Sequence, residues 1–175
     1  MSIQFRALAT AALLTLTLTA CGGGGSGEAA PKESELIETQ TQEAEVKTGF
    51  DAPVTTADGL TFTLAAPASF KPGDFATGPI EGQLNTSFNI KVENTGTADA
   101  DLSTVIVSAS TAAGACTDIF DGDNNVMGAP MDPVAAGASI EFVWALSCPG
   151  AAGDDLSVVL SNQGAPVIEV TGKLA

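Results

Sequence analysis

The chain has 175 residues, with 21 acidic side chains against six basic ones, no histidine and a formal net charge of −15. That charge repels nucleic acid and anionic lipid headgroups, and the lack of histidine removes Ser-His-Asp and Cys-His nucleophiles together with histidine-based metal sites. A carboxylate pair for glycoside cleavage would lack its usual aromatic platforms, since there is one tryptophan and no tyrosine; the composition points away from an enzyme.

The chain opens with a single cation, Arg6, followed by an apolar run from Ala7 to Ala20 and then Cys21. This run is too short to cross a bilayer as a helix, which takes about 20 residues, and it fits the apolar core of an export signal. Leu18-Thr19-Ala20-Cys21 resembles the lipobox of bacterial lipoprotein precursors. The resemblance implies removal of residues 1–20 as a lipoprotein signal peptide and thioether lipidation of Cys21. The competing reading is an ordinary secretory signal that happens to end beside a cysteine. After cleavage, five cations against 21 acids leave a net charge of −16.

Residues 21–48 read as a flexible tether. They start with Gly22-Gly23-Gly24-Gly25-Ser26-Gly27 and continue through Pro31 into the acidic run Glu33, Glu35, Glu38, Glu43 and Glu45. So few apolar residues cannot build a core, and disorder is the default. As a coil, residues 22–48 span about 25–30 Å r.m.s..

Residues 49–175 are expected to form one domain with a single core. Their hydrophobic period is two. Leu60–Leu64 comes first, then Phe88, Ile90 and Val92 alternating with Asn89, Lys91 and Glu93 before the turn Asn94-Thr95-Gly96. Leu102–Ser108 and Cys116–Phe120 follow. Ile140, Phe142, Trp144, Leu146 and Cys148 then fall on one parity, and Leu156–Leu160 and Val167–Val170 complete the set. About seven short strands separated by Gly, Pro, Asp and Asn, with no convincing amphipathic helix, predict an all-β, antiparallel sandwich of the immunoglobulin-like type. Trp144 lies on the apolar parity and is assigned to the core.

If Cys21 carries lipid, Cys116 and Cys148 remain as a pair in an oxidising compartment, where disulfides persist; two free buried thiols are the alternative. A bridge would tie the Trp144 strand to the strand that begins at Cys116.

The turn Asp118-Ile119-Phe120-Asp121-Gly122-Asp123-Asn124-Asn125 is the densest set of hard oxygen ligands. Asp121, Asp123 and Asn125 alternate as calcium-loop ligands do, and Asp132 falls at the twelfth position. Against an EF-type loop, Val126 stands where glycine is needed, and the last ligand is Asp in place of Glu. The other reading is a plain hairpin turn from Ile119-Phe120 to Val126-Met127, with Asp, Gly and Asn supplying the conformations that a tight turn needs. Met127 and Met131 lack the further soft ligands of a copper(I) site, and flexible packing is the better account of them.

Ser87-Phe88-Asn89-Ile90-Lys91-Val92-Glu93-Asn94-Thr95-Gly96 resembles the strand-plus-turn of many bacterial immunoglobulin-like domains. Ala135-Ala136-Gly137-Ala138-Ser139-Ile140-Glu141-Phe142-Val143-Trp144 is similar to their later turn and strand, with Ala136 where a proline usually precedes the glycine. With the lipobox and acidic tether, the chain looks most like small actinobacterial lipoproteins carrying an immunoprotective-antigen-like domain of unassigned function. The resemblance covers about residues 55–172. It implies an extracellular immunoglobulin-like fold with no established activity and carries over no binding residue. The expectation is therefore a protein held on the extracytoplasmic face of the cell membrane through lipid on Cys21. It needs no cofactor and serves as a non-catalytic binding or structural module for a protein or envelope partner. A calcium- or small-ligand-binding lipoprotein using residues 118–132 is the alternative.

Overall fold

The computed structural model describes residues 46–175. The expected signal peptide, Cys21 with its lipid, and the tether as far as residue 45 lie outside the described residues.

The described residues form eleven strand segments: β1 (Val46–Thr48), β2 (Pro53–Thr55), β3 (Leu60–Leu64), β4 (Ala68–Ser69), β5 (Leu84–Asn94), β6 (Ile106–Thr111), β7 (Gly114–Ala115), β8 (Thr117–Ile119), β9 (Ser139–Cys148), β10 (Asp155–Asn162) and β11 (Ala165–Lys173). The only helical turn among the described residues is a 3₁₀ turn at Gly122–Asn124. One sheet runs β1-β11-β10-β6-β7 and the other β2-β3-β5-β9-β8, with β4 also paired to β5. All pairs are antiparallel except β1 with β11. The seven strands expected from alternation are present; β1, β2, β4 and β7 are added to them, each two or three residues long.

Alternation decides which side chains meet between the sheets. In the second sheet Phe62 stands opposite Val92 and Phe88 opposite Trp144. In the first, Val158 faces Val170 and Leu160 faces Ile168 across the β10–β11 ladder. These residues belong to one buried cluster. Each large apolar side chain enclosed this way contributes about 1.5–3 kcal/mol relative to an exposed position. The core closes the sandwich, and Trp144 lies within it as its parity predicts.

Three features depart from the sequence reading. The first sheet takes in Val46–Thr48, so strand structure starts three residues before the boundary expected at residue 49. The expected strand over Leu102–Ser108 starts only at Ile106. Asp101 Oδ1 accepts from Ser103 N at 2.8 Å, and Val105 N donates to Leu102 O. This local side-chain turn replaces a ladder, yet Leu102 and Val105 still reach the core. Finally, Ala145 and Ser147 are buried although they lie on the outward parity of β9, because a loop covers that face.

The chain passes from the first sheet to the second at Cys116, which lies between β7 and β8. Cys116 is bonded to Cys148 at the end of β9, with a Cα–Cα distance of 4.3 Å. The bridge ties the Trp144 strand to the segment that starts at Cys116, as the parity argument expects. It fastens the chain where it changes sheets.

Candidate functional site

β8 is the edge strand of the second sheet, and an uncovered edge invites further pairing. The segment 70–83, between β4 and β5, covers it. Thr77 and Phe120 exchange both backbone hydrogen bonds at 2.9 Å. Gly78 permits this approach: its φ is +98° and an added Cβ would lie 2.0 Å from Asp118 O. Beneath the loop, Ile119, Val126 and Ala145 form a second buried cluster, with Phe70, Ala76 and Val143 against it.

Asp121 fixes the two segments to each other. Its backbone N and O pair with O and N of Val126, closing a tight turn over Gly122–Asn124, and Asn125 takes a left-handed φ of 56°. Its carboxylate, on a residue only 2% exposed, accepts from Gly73 N at 2.7 Å and from Asn124 Nδ2 at 2.7 Å. The Gly73 amide above all, and then the Asn124 side chain, hold the Asp121 carboxyl below its ordinary value of 3.8.

The residues singled out as calcium ligands take up a different arrangement. Asp121 is buried and turned toward Gly73, whereas Asp123, Asn125 and Asp132 are exposed. The described residues contain no group of three His, Cys, Asp or Glu side chains placed to hold a metal ion, so Asp121, Asp123 and Asp132 do not converge on one centre. The turn is closed by the Asp121–Val126 pair alone, while Ile119 pairs with Ala145 and Phe120 with Thr77 in place of the expected hairpin from Ile119-Phe120 to Val126-Met127. Asp121 spends its carboxylate on amide donors of the protein itself.

The assignment of Met127 and Met131 to packing is overturned. They are 72% and 82% exposed. They lie on the loop between Asp121 and β9, outside the small cluster that Val126 enters. Phe75 and Phe120 are exposed to 88% and 49%, and Ile80 is exposed as well. Five of the six large apolar side chains exposed among the described residues therefore come from two segments that are bonded to each other; only Ile106 lies elsewhere. The Phe120 ring passes within 3.4 Å of the Cβ position of Gly128, and Met127 Sδ lies 4.0 Å from that of Gly122. Segments 70–83 and 118–132 also carry Asp74, Glu81, Asp118, Asp121, Asp123 and Asp132 against one cation, Lys71. Exposed apolar side chains and four exposed acids, Asp74, Glu81, Asp123 and Asp132, thus share two segments that are pinned to each other at Thr77–Phe120 and Gly73–Asp121. Sequence reasoning missed Phe75 because it sits alone in Pro72-Gly73-Asp74-Phe75, outside any alternation. An aromatic without a periodic partner in a turn-rich stretch was the available signal.

At the end of β5 marked by Asn94, a cleft of about 330 Å³ is lined by residues including Asp58, Asp99, Asp101 and Gln163. Asn94 is committed there to structure. Its Nδ2 donates to Ala98 O and Val134 O, each at 2.8 Å, and its Oδ1 accepts from Gly96 N at 3.0 Å.

No protein-family model matches the chain, and no curated relative matches it in sequence. Solved structures similar to it include the following two. A Bacillus subtilis protein, ycdA, described as a lipoprotein, superposes with a TM-score of 0.54 at 14% identity over 73% of this chain and 39% of its own length. This chain thus spans well under half of that protein. A secreted protein of Mycobacterium tuberculosis, MPT63, superposes with a TM-score of 0.51 at 11% identity, over 73% of this chain and 97% of its own. The likeness to the immunoprotective-antigen type of sandwich therefore rests on a shared fold, and the protein is a β-sandwich of the architecture seen in a described lipoprotein and a secreted mycobacterial protein.

Proposed function

We propose that this protein is a lipid-anchored, extracytoplasmic β-sandwich that acts as a non-catalytic binding module at the cell surface. The observation that carries the reading is the gathering of Phe75, Phe120 and Met127 on the outside of a sandwich whose core is otherwise closed. Large exposed apolar side chains concentrated on two bonded segments are the kind of surface that marks interaction sites, and domains of this class place their sites on loops carried by a rigid frame. The Leu18-Thr19-Ala20-Cys21 quartet and the glycine tether support membrane attachment, and the lipoprotein and secreted-protein descriptions of the two fold neighbours agree with export.

Labelling cells with radioactive palmitate tests the anchor. The label is expected in the native chain and absent from Cys21→Ser, which should leave the membrane fraction; a Cys21→Ser protein that stays membrane-bound overturns it. Crosslinking on intact cells tests the binding role, and a chain that crosslinks to nothing overturns it. Calcium binding at residues 121–132 is the competing function. It predicts a calcium-dependent rise in melting temperature that disappears in Asp123→Ala.

A further inference from the structure

The patch has a chemistry of its own, and from it we infer the class of partner, resting on the binding-module reading above: the Phe75/Phe120/Met127 surface docks a cationic amphipathic protein segment, one in which apolar side chains are flanked by Lys or Arg. Single exposed apolar residues are ordinary. Here five of six are confined to two bonded segments. Methionines add unbranched, polarizable side chains that adapt to an incoming surface, and Met127 and Met131 point this adaptable material outward.

Charge selects among occupants. The two segments expose four acids, Asp74, Glu81, Asp123 and Asp132, against one cation, Lys71. A second copy of this chain would set acids against acids, which is costly. An anionic lipid surface would be repelled in the same way. A segment pairing apolar anchors with cations gains on both counts, and the surrounding charge speeds its encounter. The backing is already rigid: the Thr77–Phe120 hydrogen bonds and the Gly73–Asp121 bond hold the patch before a partner arrives, which lowers the ordering cost of binding.

The test uses the full-length chain with methyl-labelled methionine, since Met127 and Met131 are two of its three methionines. Two probes of equal apolar content are titrated, an amphipathic Leu/Lys peptide and its Leu/Glu counterpart. Expected are saturable shifts of both patch methyl resonances with Leu/Lys alone. Affinity should fall at least ten-fold in Phe75→Ser and Met127→Ser, whose sites are exposed enough to leave the fold intact. It should fall several-fold further between about 50 and 300 mM salt. Binding unchanged by these two substitutions, equal binding of the Leu/Glu peptide, a response to lipid vesicles in place of peptide, or methyl shifts that track self-association in sedimentation each overturn the proposal. A partner crosslinked from Ile106, with no response at Met127, overturns this surface while leaving the binding-module reading intact.

Discussion

Trp144 Nε1 donates a 2.8 Å hydrogen bond to Asp118 Oδ1, which fastens the indole of the core to the edge strand that carries the patch. A buried indole N–H needs a partner, and an edge strand of three residues has few other ties. Asp118→Ala should therefore lower unfolding stability by about 1–3 kcal/mol, the cost of leaving one buried donor unpaired. Asp118→Asn keeps an oxygen acceptor and should recover most of the loss. Urea unfolding followed by the fluorescence of Trp144, the only tryptophan, measures both. An unchanged midpoint in Asp118→Ala would show that the bond contributes nothing.

The Cys116–Cys148 bridge closes a loop with a sequence separation of 32. In the chain-entropy account a loop of that size stabilises by about 3–4 kcal/mol. The double substitution Cys116→Ala/Cys148→Ala should lose about that much. Because the bridge sits where the chain changes sheets, the loss should be uneven. Amide exchange in β8 and the 121–126 turn should quicken more than exchange in β10 and β11, which pair over eight positions. Uniform loss of protection would contradict this placement.

Much of the sandwich was legible in the sequence because its core strands obey a period of two. Phe88-Ile90-Val92 and Ile140 to Cys148 name their inward faces unaided, and the closing turn at Asn94 announces itself through Thr95-Gly96. The added segments were not legible. β1, β2, β4 and β7 are too short to show a period, and they pair only because longer strands offer them an edge. The turn at Leu102–Val105 was misread as strand because apolar residues can be buried from a turn as well as from a ladder. The patch was least visible. Exposure of Phe75 or Met127 is settled by what the loop 70–83 covers, and that depends on the Thr77–Phe120 pairing across 43 positions of chain.

Gly172 tests how tightly one end of the sandwich is packed. An added Cβ there would lie 2.4 Å from Phe50 Cε2, and Phe50 itself stacks on Phe88 with ring centroids 6.0 Å apart. The backbone at Gly172 shows no positive φ, so the constraint is space alone. Gly172→Ala should push the Phe50 ring off Phe88 and cost about 1–3 kcal/mol, the usual range for overpacking. Adding Phe50→Leu should cost less in the Gly172→Ala background than in the native one, a coupling that a double-mutant cycle reads directly. Additive effects would mean the ring moves aside freely.

Asp121 gives the molecule a defined acid response. Its carboxyl is held below 3.8, first by the Gly73 amide and then by Asn124. The folded state therefore binds a proton less readily than the unfolded chain. The stabilisation is fully present above the unfolded value near 3.8 and is lost as pH falls through the lower folded value. Asp101, lowered by Ser103, acts in the same direction. A melt of the native protein alone mixes the contributions of all its acids. Comparison with Asp121→Asn separates them. The native protein should exceed the variant in stability at pH 6 and the gap should close between pH 4 and pH 2. Because the Gly73 contact anchors loop 70–83, the protection of the Gly73 and Thr77 amides, after correction for the intrinsic pH dependence of exchange, should fall with the same pH dependence in the native protein and stay constant with pH in Asp121→Asn. A gap that stays constant with pH would mean that the Asp121 charge has no part in holding the patch together.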